Sequence, residues 1–228
     1  MVYGEVGKLP LQVTIDKHMI NYWLRILDKE ESTLAYMMYR ISLNLFSREE
    51  YKAKWLCKIK CVLDNCGLSY IWFEQDNIDT KKCKLLIHQK IEDIALHTWF
   101  IEISSSSMCI LYRLYKKHLD FEKYLTISRY RDRVSLTKFR CANSKLPVYD
   151  QIYTYATNTC TLCDLNVRGD EYHYILICPF FKQNREMYLK PYYYYGPSLL
   201  KFEQLFNSHS ASSISKLAKF VKIILACF

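Results

Sequence analysis

Residues 160–178 read CTLCDLNVRGDEYHYILIC, which places four metal-binding side chains as Cys160-x2-Cys163-x9-His173-x4-Cys178. A Cys-x2-Cys turn sets two thiolates on one side of an ion. The His-x4-Cys pair, on a turn or nascent helix, closes the other side. Asn166 and Gly169 are the residues that let the intervening loop reverse. Both pairs arising by chance, in this order within about twenty residues, has a probability on the order of 1%. The spacing therefore predicts one structural Zn2+, held by four protein ligands that leave no coordination position open. The bland alternative is four core residues beside a turn.

Charge brackets this motif. Residues 129–145 carry +5, residues 146–178 carry −3 and residues 179–228 carry +5, whereas residues 1–128 carry only +2. Basic segments around a metal site suggest a polyanionic partner. Residues 129–142 read as a basic helix, on which Arg129, Arg133 and Arg140 fall within an arc of roughly 40°. Three guanidiniums on one face suit phosphate contact. Arg131, Lys138 and Lys145 add charge nearby, with Lys182, Arg185 and Lys190 as secondary candidates after the metal motif. A solvated surface helix is the competing reading.

The remainder is helical in pattern. With 5 Gly and 5 Pro in 228 residues, there is little material for the tight turns of a sandwich or barrel. Apolar stripes mark successive amphipathic helices: Met19, Trp23, Ile26 and Leu27; Leu34, Met37, Met38, Ile41 and Leu45, capped by Ser32 or Thr33; Trp55, Ile59, Val62 and Leu63; and Ile87, Ile91 and Ile94. Pro179 opens a helix to about Leu189, Tyr192–Gly196 reads as a loop, and helices follow near 198–207 and 213–227. The expected fold is mainly α: a bundle-like helical region (1–128), a basic helix and connector (129–157), a small Cys-Cys-His-Cys zinc module (158–190) with a short β-ribbon, and C-terminal helices (191–228).

Other candidates are weaker. Cys57, Cys61 and Cys66 lack a nearby histidine and read as core cysteines. His88, His97 and His118 are isolated on helices, and Tyr192–Tyr195 suit packing better than base stacking. No phosphate loop, Gly-x-Ser-x-Gly or His-Glu-x-x-His is present. Ten cysteines behind an N-terminus without signal-peptide character imply reduced thiols in the nucleus or cytoplasm rather than secretion.

The Cys-Cys-His-Cys spacing, together with VYGEVGKLPLQV (2–13), SRYRDRVSLTKFRCANSKLPVYDQIY (128–153) and DEYHYILICPFF (170–181), resembles the carboxyl-terminal region of reverse transcriptases from non-LTR (LINE-type) retrotransposons. The metal spacing also resembles the retroviral zinc knuckle, with a longer middle loop. The resemblance implies a post-polymerase helical segment and a zinc-binding segment that grips RNA or DNA beside a polymerase body. The Asp-Asp pair of such polymerases occurs nowhere here, so the chain is expected not to be an enzyme by itself. The expected partners are RNA or DNA, with no membrane and no small-molecule substrate. The alternatives are a zinc-stabilised protein-interaction module without a nucleic-acid role and, more remotely, an enzyme of unrecognised type.

Overall fold

The computed structural model describes residues 1–48, 53–149 and 158–228. It is helical, and among the described residues the only β-pairing is an isolated bridge between Thr159 and Arg168. The expected ribbon is thus reduced to a single bridge. No helix among the described residues is long and apolar enough to cross a membrane. The chain forms two compact units, Leu9–Phe100 and Met1–Lys8 with Ile101–Phe228.

In the Leu9–Phe100 unit, α2 (Leu11–Leu27), α3 (Leu34–Ser47), α4 (Lys54–Asn65), α5 (Ser69–Phe73) and the first part of α6 (Thr80–Ser105) enclose one core. Trp23 stacks on Trp72 with ring centroids 6.0 Å apart, and its indole N–H donates to the Tyr39 hydroxyl at 2.9 Å. Burial raises the Tyr39 hydroxyl pKa to about 12. Thr33 caps α3 through the Tyr36 N–H, as expected from its position. The expected stripe on α3 does not face the core. Leu34, Met37, Met38 and Ile41 are exposed, and Tyr39 is the buried anchor. The inward face is the stripe of Tyr39, Leu43 and Phe46, which packs on the core and carries the polar bond to Trp23.

The second unit contains α1 (Val2–Val6), α7 (Tyr112–Tyr115), α8 (Tyr124–Ile127), α9 (Tyr130–Arg140), α10 (Lys182–Tyr188), α11 (Pro191–Tyr194), α12 (Leu199–Phe206) and α13 (Ala211–Leu225). The segment expected as a loop at Tyr192–Gly196 begins as α11, because Pro191 sets the φ of a first helical turn. On α13, Ile214, Leu217, Ala218, Val221 and Ile224 follow helical spacing and are buried, and α13 packs along α9.

A buried charge network ties the start of the chain into this unit. The Arg140 guanidinium is 2% exposed. It donates to both carboxylate oxygens of Glu5, at 2.7 and 3.2 Å, and lies 3.0 Å from Glu122. The Tyr124 hydroxyl donates to Glu5 at 2.6 Å. The rings of Tyr115 and Tyr124 lie 4.6 and 5.1 Å from the guanidinium carbon. After α1 the chain must pass close to Phe121: a Cβ on Gly7, at φ 60°, would lie 2.4 Å from the Phe121 backbone nitrogen, so only glycine fits.

Removing one member of such a pair strands the other in a dry site, at about 3–5 kcal/mol. Arg140→Met should therefore lower the thermal midpoint by roughly 6–20 °C. The double variant Glu5→Leu/Arg140→Met should lose less than the single one, as read by a calorimetric double-mutant cycle. Additive losses would contradict the pairing.

Candidate metal centre

The four side chains expected to bind metal converge. The thiols of Cys160, Cys163 and Cys178 and a ring nitrogen of His173 all lie within 4.8 Å of one another. Cys160 and Cys178 sulfurs are 3.9 Å apart, and Cys163 Sγ is 3.5 Å from His173 Nε2. Cys160, His173 and Cys178 are buried and Cys163 is half-buried. This group can hold one metal ion.

Local structure explains the convergence. The loop closes through the Cys160 N–H to Val167 O and the Gly169 N–H to Asn158 O, each 2.8 Å. Asn166 takes the left-handed conformation at φ 51°, which its short polar side chain tolerates. Gly169 serves a different need. A Cβ there would stand 2.5 Å from the Tyr174 hydroxyl and 3.3 Å from Cys160 Cα, so the residue is small to let the loop lie on Tyr174. The Leu162 N–H donates to Cys160 Sγ at 3.4 Å.

His173–Ile177 form a single π-helical turn, with the Cys178 N–H donating to His173 O at 2.7 Å. In an α-helix, residues five apart point about 140° away from each other. The i→i+5 bond of a π turn brings them back toward one face. The His-x4-Cys spacing thus becomes a bidentate edge. Asp170 Oδ1 accepts from the His173 N–H at 2.9 Å at the start of this turn.

Arg185, a secondary candidate for nucleic-acid contact, has a different role. It is buried, with Nε donating to Ile175 O at 2.8 Å and Nη2 to Cys178 O at 2.7 Å. Ile175 O lies inside the π turn, where Pro179 four residues on has no N–H to give it, and Cys178 O just after the turn also accepts from the Phe181 N–H at 3.2 Å. Arg185 therefore braces the ligand turn and is withdrawn from any outer surface. Lys182 and Lys190 are exposed.

The electrostatics suit a cation. Burial pushes the Cys178 thiol pKa up to about 12 without one, and burial lowers the His173 pKa, favouring the neutral imidazole that a metal requires. His173 Nδ1 is buried with no hydrogen-bond partner among the described residues. Beside the site, the Tyr149 hydroxyl donates to Glu171, whose carboxyl burial raises to about 7.

The expected arginine face on α9 does not form. Arg140 is locked to Glu5. Arg133 is half-buried, with Nη1 donating to Leu125 O at 2.5 Å. Leu136, buried, falls on the same helical arc, so that arc is the inward one. Arg131 and Lys138 lie about 20° apart on the opposite, outer face and are exposed, as are Arg129 and Lys145. All ten cysteines are free. Cys57 and Cys61, expected in the core, are exposed on α4, where Leu56, Ile59, Val62 and Leu63 form the inner stripe; Cys66 is buried. Comparison with protein-family models, curated proteins and solved structures finds no match for this chain.

Cys163→Ser should abolish metal retention, and Cys57→Ser should retain one ion per chain. Gly169→Ala should weaken retention by pressing on Tyr174. Elemental analysis after gel filtration reads all three, and equal metal in wild type and Cys163→Ser would refute the site.

Proposed function

We propose that the ion is Zn2+ and that its role is structural. Zinc bonds of about 2.3 Å to sulfur and 2.0–2.1 Å to nitrogen, set tetrahedrally, require sulfur–sulfur edges near 3.8 Å and sulfur–nitrogen edges near 3.5 Å. The 3.9 and 3.5 Å separations here fit that figure. Three thiolates and an imidazole suit zinc over hard cations. Four protein ligands leave no place for a reacting water.

On this reading the chain is a zinc-stabilised helical module that binds RNA or DNA with little regard to sequence, like the tail of a non-LTR retrotransposon reverse transcriptase. The observation that carries it is the outer face of α9. Arg131 and Lys138, with Arg129 before the helix and Lys145 after it, are exposed in the same unit as the metal centre. Exposed guanidinium and ammonium groups contact phosphate without reading bases. A polymerase body would come from a separate segment, and this chain would not extend primers alone. Free thiols throughout fit a reducing compartment, the nucleus or the cytoplasm.

The zinc-loaded chain should bind random single-stranded RNA with log affinity falling by about 0.7 per phosphate contact per unit of log salt. Arg131→Ala/Lys138→Ala should flatten that slope by about 1.4. Arg185→Lys should instead reduce zinc retention. A wild-type chain whose polynucleotide binding is absent or indifferent to salt would favour the protein-interaction reading.

A further inference from the structure

A cationic groove lies where α9 ends. The chain reverses at Ala142, φ 51°, and the Asn143 N–H donates back to Lys138 O at 2.9 Å. This reversal lays Ser144 and Lys145 beside the last turns of α13. Between them opens a cavity of about 620 Å³, lined in part by Ser135, Lys138, Ser144, Lys145, Lys222 and Phe228. Its volume falls in the range of about 300–1,000 Å³ usual for ligand clefts.

The chemistry of the lining is one-sided. Three lysines face the cavity, and among the described residues no Asp or Glu side chain lines it, the terminal carboxylate of Phe228 being the one anionic group at its edge. Asp132 holds Lys222 at 3.2 Å, leaving the other N–H bonds of that ammonium available. Lys138 and Lys145 form no ion pair among the described residues. Ser144 Oγ is buried and finds no hydrogen-bond partner among the described residues. A wall with three cations and an unpaired hydroxyl is complementary to an anion carrying several acceptor oxygens. The Phe228 ring at its edge adds an apolar surface, and a single-stranded polynucleotide combines the two chemistries, phosphate for the lysines and a base face for the ring. Phe228 also packs edge-on against Tyr174, 5.2 Å between centroids, and Tyr174 lies 5.3 Å from the His173 ring. The groove is thereby joined to the metal centre.

We infer that this groove takes the phosphodiester backbone of a single-stranded polynucleotide, with Lys138, Lys145 and Lys222 as its cations and the Ser144 hydroxyl as a donor to phosphate oxygen. The inference rests on the nucleic-acid reading above and assigns it a place, adding Ser144 and Lys222.

The test is fluorescence anisotropy of a labelled oligouridylate with the zinc-loaded full chain across a salt series. Lys138→Gln/Lys145→Gln should flatten the salt slope by about 1.4. Ser144→Ala should weaken binding about three- to tenfold while leaving the thermal midpoint unchanged or higher, because it removes an unpaired buried hydroxyl. The charge-matched pair Lys84→Gln/Lys90→Gln on α6 should bind as wild type. Should the groove lysine pair fail to fold, Ser144→Ala decides, since it leaves the packing in place. Wild-type binding by Ser144→Ala, with or without an unchanged slope in the lysine pair, overturns the groove and leaves the nucleic-acid reading standing. No binding by the wild-type chain overturns both.

Discussion

The unit that carries the candidate metal centre is organised around one buried cation, Arg140. Water has been stripped from Arg140, which burial alone would disfavour as a charged group; the carboxylates of Glu5 and Glu122 restore the balance and hold its pKa above the ordinary arginine value. A buried pair contributes little stability beyond what apolar isosteres would supply. What it contributes is a requirement about who meets whom. Arg140 must find carboxylates, and besides Glu122 it takes Glu5, from 135 residues away. That requirement brings the first eight residues into the unit with residues 101–228. It also turns one face of α9 inward, and so determines which of its basic residues remain outside.

The same logic operates at the metal centre on a smaller scale. A His-x4-Cys pair on an ideal helix would splay, so the turn must widen, and widening frees carbonyls. Arg185 takes up one of them, Ile175 O, and adds a bond to Cys178 O just after the turn. An arginine that looks like surface charge in the sequence is thus a structural consequence of the ligand spacing. Gly169 and Tyr174 form a similar couple: the absent side chain of one makes room for the hydroxyl of the other.

These cases mark what was legible in the sequence. The ligand set was, because metal coordination constrains residue type and short spacing together. Most helices were, because apolar residues recur at helical intervals and because Thr33 and Pro179 sit where caps and first turns need them. Charged side chains misled. On a helical wheel Arg129, Arg133 and Arg140 make a basic face, yet buried Leu136 shares that arc and Glu5 lies far off in sequence. The wheel contained a warning in Leu136; nothing local announced Glu5. Cys57 and Cys61 failed for a related reason, since general cysteine burial says nothing about the phase of a particular helix, which Leu56 and Ile59 had already fixed. The role of Tyr39 on α3 was hidden because its bond to Trp23 joins two helices.

The placement of charge and metal also bears on why a structural zinc would accompany polyanion binding. Lysines that share one groove repel one another, even with Asp132 on Lys222, and a groove that keeps them must be held by something else. Here α9 and α13 are packed together and the loop after α9 is closed by backbone hydrogen bonds. The remaining side of the groove is Phe228, whose ring rests on Tyr174 in the ligand turn. On the proposed reading, a bound cation would neutralise the thiolates, fix the π turn and so fix Tyr174. Metal binding would then act on the groove through packing rather than through its own charge, which the surrounding thiolates would cancel. If the groove takes a polynucleotide as proposed, a module built this way would keep its positive surface pre-organised, so that ordering of the lysines would not be charged against each phosphate.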